Sequence, residues 1–452
     1  MDQFFSDTKT QSALSHLVNR LIHYQSRITG TRPPQQSQRV SYAHYLEMLQ
    51  TRRGSALFYP YLGTGMGRGA LVELMDGSIK YDMIAGIGAH FCHGHPDIVA
   101  ASLKAALSNM VMQGNLQQNV ETVTLLNRLC EVSGMNSGFL TTSGVMAVEN
   151  ALKMCFQYAY PRHRVIAFSR CFAGRTLAVA HITDKPQYRQ GLPTTLDVDY
   201  IPFYNASKPD TSTAQTVSHL KRLLARYPDQ HGAFIVECIQ GEGGYYAGTS
   251  EFFEAVFSVA KSHDIPIIVD EIQTFGRTSH FFAYQALGLD AYVDVVTVGK
   301  LSQVCATLFH PKMSPKPGLI SQTFTGSTSA IHVALVILDL LESKCLGETG
   351  HISQIRHRFL YHFDGLEKQF GPLFTGPYGY GGMIAFTPFK GDRALVMQFL
   401  HRLFDAGVIG FVCGNAPTRV RFLPPIGGMT VSDVDAVMAI VRDVMQEVSE
   451  TA

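Results

Sequence analysis

Between residues 165 and 300 short apolar runs alternate with longer stretches patterned at the helical period, and few folds accommodate that alternation. The runs at 165–168, 234–236, 265–269 and 293–298 are rich in β-branched residues and read as strands. Residues 220–227 and 252–262, lying between them, read as helices. Strands without a polar face need cover on both sides, and helices that return between them leave neighbouring strands parallel. The pattern therefore predicts an α/β fold with a mostly parallel sheet.

What these runs end on is chemical. The stretch IPIIVDEIQTFGR (265–277) ends its apolar run on Asp270 and Glu271, followed by Gln273. The run at 293–298 ends on Gly299-Lys300, and the run at 234–236 ends on Glu237. Open α/β sheets hold ligands beyond the carboxyl ends of their strands, where an acid is badly placed for a core and well placed for a cofactor. An acid and a lysine at two such ends suit pyridoxal 5'-phosphate: the lysine forms a Schiff base and the acid keeps the ring nitrogen protonated. For either residue alone a solvated surface charge is the better reading; the two together make it a poor one. A second informative stretch covers 139–155, where Ala147, Val148, Ala151, Leu152 and Cys155 share one helical face. Thr142-Ser143-Gly144 precede that helix, and a glycine there lets backbone N–H groups and the helix dipole reach a phosphate. The plainer reading is an ordinary capped helix.

The rest of the chain sets limits. With 452 residues, 46% apolar and 16% charged, it has material for one large α/β core and a smaller one. A net charge of +1 gives no electrostatic case for nucleic acid or an anionic membrane. No apolar run approaches the ~18 residues of a membrane span, and the polar start MDQFFSDTKTQS lacks the basic and apolar regions of a secretory signal. Eight scattered cysteines without a C-x-x-C read as reduced thiols, which points to the cytoplasm. His90, Cys92, His93 and His95 invite a zinc reading, but nothing later completes a ligand set, so no metal is expected. The alternative there is a Gly-rich turn feeding a helix with Pro96 in its first turn. Residues 1–40 are polar, with an extended connector at 32–38. Asp76-Gly77 between two apolar runs marks a hairpin. Beyond Gly326 the pattern becomes α+β, with helices near 331–342 and 395–404, short strands at 383–386, 408–413 and 420–423, and a closing helix from Val431. Thr430 with Asp433 reads as its capping box. The expected organisation is an N-terminal segment (1–90) joining a C-terminal small domain (336–452), with a large domain at 91–335.

These residues resemble a family. IIVDEIQTFGRT, with Gly299-Lys300 following, is similar to the cofactor motif of class III aminotransferases, which are fold-type I pyridoxal-phosphate transferases. SGVMAVENALK resembles the family's phosphate-binding turn and helix. Phe172-Ala173-Gly174-Arg175-Thr176 resembles its aromatic-His-Gly-Arg-Thr motif, ECIQGEGG its E-P-x-Q-G-E-G-G, and Gln322-Thr323-Phe324-Thr325-Gly326 its T-[FY]-x-G-N. The resemblance runs from about Leu71 to the last helix.

It implies a role for each matched residue. Lys300 is the Schiff-base lysine and proton shuttle, and Asp270 pairs with the pyridine nitrogen. Gln273 lies near the ring hydroxyl, while Phe172 and Ile272 take the two ring faces. The amides of Gly144 and Val145 hold the phosphate. Thr323 reaches the phosphate of a neighbouring subunit, which implies a homodimer with shared active sites. Arg175 takes a substrate carboxylate, Arg421 grips 2-oxoglutarate, with Arg419 a second candidate, and Glu242 covers that arginine when the other substrate is bound. A fixed salt bridge between Glu242 and Arg421 is the alternative. Val145 stands where the family often has Ser or Thr, Ala173 replaces the motif histidine, Cys238 a proline and Ser327 an asparagine. The run 300–305 is nearest the lysine 6-aminotransferase and 4-aminobutyrate aminotransferase branch. The implied reaction moves an amino group from an ω-amino acid to 2-oxoglutarate, giving a semialdehyde and glutamate. Other chemistry on the same scaffold (an aminomutase, racemase or decarboxylase) or a non-catalytic cofactor-binding protein are the alternatives.

Overall fold

Seven strands form the central sheet, in the order Ser137–Thr141, Cys305–Phe309, Val295–Val298, Ile267–Asp270, His231–Val236, Arg164–Phe168, Asp197–Ile201. This is a computed structural model, and it describes residues 1–451. Neighbours among the last five strands are parallel. Cys305–Phe309 alone runs antiparallel to both of its neighbours. Ile267, Ile268, Val269, Val295, Val296 and Val298 are all fully buried, as strands covered on both faces require. Each such side chain contributes about 1.5–3 kcal/mol of burial, so the ends of these strands are anchored firmly.

The helix Gly144–Ala159 covers one face of the sheet, against His231–Val236, Val295–Val298 and Cys305–Phe309. The five residues assigned to its inward face are buried, and Val148, Ala151, Leu152 and Cys155 join Val165, Ile235, Ile268 and Val295 in one cluster. Ser143 caps the helix, its Oγ accepting the Met146 amide at 3.4 Å.

The chain divides into two compact units. The sheet belongs to the unit formed by Ala105–Glu348 and Tyr378–Tyr380. The other unit comprises Met1–Lys104, Thr349–Pro377 and Gly381–Ala452. Within it Leu71–Leu74 and Ile79–Asp82 form the expected hairpin, with Leu71 opposite Tyr81 and Gly77 at φ +78 in the turn. A parallel partner, Val408–Ile409, extends it. The closing helix Val431–Thr451 starts on a reciprocal cap: the Thr430 amide donates to Asp433 Oδ2 at 2.8 Å and the Asp433 amide to Thr430 Oγ1 at 3.1 Å.

Other parts depart from the expectation. The polar N-terminal residues form helices, Thr8–Gln25 and Arg39–Arg53; each fully buries one residue, Gln25 and Tyr42 respectively, beside a short half-buried stripe, Leu14, Val18 and Leu21 in the first and Leu46 and Leu49 in the second. The helix expected at 220–227 begins earlier and spans Pro209–Arg226. Ser137–Thr141, Asp197–Ile201 and Cys305–Phe309 are strands not read from the sequence. Two of these are the sheet edges, where exposure dilutes the apolar signal, and the third is the lone antiparallel strand. His93 contacts Asp82 at 3.1 Å, and among the described residues no group of three His, Cys, Asp or Glu side chains is placed to hold a metal ion. All eight cysteines are free thiols.

Candidate active site

Asp270 is the last residue of its strand, and the parallel register sets it opposite Thr297, three residues before Lys300. The carboxylate is almost fully buried and takes two hydrogen bonds, from the Ile272 amide at 3.0 Å and the Thr297 hydroxyl at 3.1 Å. Both end on Oδ1; among the described residues no donor is assigned to Oδ2. Burial pushes the Asp270 carboxyl up to about 6, against the pull of the two donors and the Lys300 charge.

Lys300 follows an extended Gly299 and takes φ +54. A non-glycine residue in that region stores roughly 1–2 kcal/mol and persists where its surroundings over-determine it. Gly299 and Gly144 both lie close to Ile272; a β-carbon on Gly144 would come within 2.9 Å of Ile272 Cδ1. A glycine at 144 therefore lets the helix N-terminus approach the strand end closely.

These residues share one cavity of about 320 Å³, lined by Gly144, Val145, Phe172, Arg175, Asp270, Ile272, Gln273 and Lys300, with Glu237 and Glu242. Gln273 packs against Gly241, where any β-carbon would fall 2.2 Å from Gln273 Oε1. That oxygen is buried without a hydrogen-bond partner, a cost a donor in the cavity would remove. Phe172 is held by its amide, which donates to Glu237 Oε1 at 2.9 Å, while the Gly241 amide donates to Oε2 at 3.0 Å. Burial and the nearby Asp270 charge push Glu237 up to about 8. Glu271 is also buried, facing the Tyr284 amide at 3.0 Å and the Thr274 hydroxyl, and burial pushes it up to about 7.

The cavity fits a flat, anionic, aldehyde-bearing ring. It has a lysine amine, a buried carboxylate with one oxygen open, an orphaned acceptor, apolar lining from Phe172 and Ile272, and a helix N-terminus. Of the residues inferred from sequence, Thr323 and Arg421 are outside its lining. Thr323 is exposed, and Arg421 is fully buried in the other unit with its guanidinium 5.4 Å from the Phe411 ring centre.

Some residues at or beside the cavity carry no clear signal in the sequence. Glu237 was visible as a strand-end acid but carried no role. Thr297 could have been found from the parallel register. Lys185 Nζ lies 3.4 Å from Glu242 Oε2, a contact that bridges 57 residues of chain and leaves no local signal.

The sequence matches the family description "Aminotransferase class-III" over residues 60–445. The acetylornithine aminotransferase of Archaeoglobus fulgidus is 28% identical over 385 residues, covering 83% of this chain and 93% of its own. The diaminobutyrate–2-oxoglutarate transaminase of Wolinella succinogenes is 28% identical over 382 residues, covering 79% and 86%. Among solved structures, the lysine aminotransferase of M. tuberculosis superposes with a TM-score of 0.78 at 23% identity, covering 89% of this chain and 99% of that one.

Proposed function

This chain belongs to the class III aminotransferase family and is a pyridoxal-phosphate-dependent transaminase, and from that premise we propose that it transfers the amino group of an ω-amino acid of the lysine, ornithine or 4-aminobutyrate type to 2-oxoglutarate. The products are a semialdehyde and glutamate. The observation that carries the reading is the convergence of Lys300, Asp270 and Gln273 on one cavity. The donors named for the relatives, acetylornithine and diaminobutyrate, favour an ω-amine.

When bound, pyridoxal phosphate supplies an aldehyde that takes the amino group and a ring that accepts the electron pair left on the substrate carbon. The amides of Gly144 and Val145 would hold its phosphate, and Phe172 and Ile272 would enclose the ring. Gln273 Oε1 would accept from the ring hydroxyl. Asp270 Oδ2 would hold the proton on the ring nitrogen; a cation there draws its carboxyl back down from the value burial imposes. Lys300 Nζ would take the proton from the substrate carbon as general base and return it as general acid. Arg175 takes the carboxylate of the donor, and Arg421, or the neighbouring Arg419, takes the distal carboxylate of 2-oxoglutarate bidentately. Glu242 offsets the arginine's charge when a donor without that carboxylate is bound. Thr323, exposed and outside its own cavity, serves the phosphate site of a second copy, so the working form is a homodimer.

A panel of ω-amino acids offered with 2-oxoglutarate, scored for glutamate, tests the proposal. At least one donor is expected to yield glutamate in proportion to semialdehyde. Turnover of a donor without any need for a keto acid would replace transfer by another reaction of the same scaffold.

A further inference from the structure

The loop after the buried Thr183 is pinned to the cavity wall at several points. Thr183 Oγ1 accepts the amides of Ala173 at 3.0 Å and Gly174 at 3.2 Å, and donates to the Gly174 carbonyl at 2.8 Å. Asp184 Oδ2 accepts the Arg170 amide at 2.7 Å, and the Asp184 amide donates to the Cys171 carbonyl at 3.0 Å. These bonds fix the position of Lys185 and the turn Pro186–Tyr188.

The Tyr188 ring is then a platform for two cations. The Arg175 guanidinium lies 3.9 Å from its centre and the Lys185 ammonium 5.3 Å. Phe172 meets it edge-on with ring centres 6.5 Å apart. Lys185 also faces Glu242, which lines the cavity, and the side chains are 26% and 16% exposed. At that burial the pair is more than a solvated surface bridge, because the water that would screen it is largely absent.

We propose that Lys185 is a specificity-determining residue: held on Tyr188, it is the fixed counter-charge to Glu242 and sets how readily the cavity accepts a second carboxylate. The inference rests on the proposed use of a dicarboxylic acceptor. Charge balance at the cavity supports it. Loss of the ammonium makes the region one unit more negative, whatever else Glu242 contacts. A monocarboxylate, gripped at one end, is affected little. A dicarboxylate has to place its second charge against that excess. Removing the Glu242 charge as well restores the balance. The backbone bonds around Thr183 and Asp184 do not involve the Lys185 side chain, so its substitution leaves the platform in place.

The test uses the holoenzyme and two non-reacting probes, glutarate and valerate, with dissociation constants from calorimetry. Lys185→Met is expected to weaken glutarate about tenfold and valerate by less than about threefold, the scale of one partly screened charge at this range. Lys185→Met/Glu242→Gln is expected to recover most of the glutarate affinity, and Lys185→Arg to keep it. Equal weakening of both probes in Lys185→Met, no weakening of either, or a double variant no better than the single one overturns the proposal. If the wild-type enzyme forms no product with 2-oxoglutarate yet the glutarate pattern holds, the acceptor assignment falls and the role of Lys185 stands.

Discussion

Thr297 and Asp270 are register partners on adjacent parallel strands, and the Thr297 hydroxyl donates to Asp270 Oδ1 at 3.1 Å. With the Ile272 amide it occupies that oxygen, and among the described residues no donor is assigned to the other. Thr297→Val keeps the shape and loses the donor. Its kcat is expected to fall about 3–10-fold, the scale of one ordinary hydrogen bond, because the Ile272 amide still holds the carboxylate. Asp270→Asn removes the charge itself and is expected to cost about 10²-fold or more. Steady-state rates, with circular dichroism to show an intact fold, check both. Equal losses in the two variants would remove the graded role assigned to Thr297.

Buried carboxyls give the cofactor-free protein a distinctive pH profile. Glu271 is raised from its ordinary value to about 7, so the folded state keeps a proton that the unfolded state has released. Its contribution to stability is fully present below about 4.5 and is lost as pH rises through about 7. Asp270, raised to about 6, adds to the decline in the same direction. Glu271→Gln keeps an acceptor for the Tyr284 amide and places its NH₂ against the Thr274 hydroxyl, so the site stays bonded. The variant is expected to flatten the profile by up to one proton, about 1.4 kcal/mol per pH unit over that window. Denaturant melts of the cofactor-free protein at pH 5, 6 and 7 measure it; an unchanged slope would place the titrating group elsewhere.

Thr323 is exposed and lies outside the cavity of its own chain. Its assigned task needs a second copy. Sedimentation of the active enzyme is expected to show a dimer, and Thr323→Ala to weaken cofactor retention about 10–100-fold, as loss of one hydrogen bond to a charged group does. Full activity in a sedimenting monomer would contradict the shared site.

Arg421 and Arg419 are both buried, and a buried arginine can serve stability as readily as substrate. Single-turnover rates separate the uses. Arg421→Ala is expected to slow the 2-oxoglutarate half-reaction at least tenfold more than the donor half-reaction. Equal loss in both halves, with a lowered melting temperature, would make it structural, and the same pattern shifted to Arg419→Ala would move the role by two residues.

Legibility in the sequence depends on where the signal lies. Asp270, Gln273 and Lys300 were legible because a polar residue at the end of a fully apolar run seldom serves packing. The hairpin at Gly77 and the Thr430–Asp433 cap were legible because their chemistry is local. The edge strands were not, since Asp197–Ile201 is polar enough to pass for a loop. Nor were the N-terminal helices, whose surfaces face solvent almost all round. Lys185 reaches Glu242 only through the bonds that fold the Thr183 loop onto the Phe172 segment, and no spacing in the chain announces that. The positive φ of Lys300 likewise has no local signal in the sequence.

The central claim is that Lys300 carries the cofactor. Reduction of the holoenzyme with borohydride converts the C=N bond between lysine and cofactor into a stable amine, and peptide mass spectrometry then locates it. The label is expected on the peptide containing Lys300 and to be absent from that peptide in Lys300→Ala. A label on another lysine, Lys185 or Lys312 for instance, in the wild-type enzyme would contradict the account.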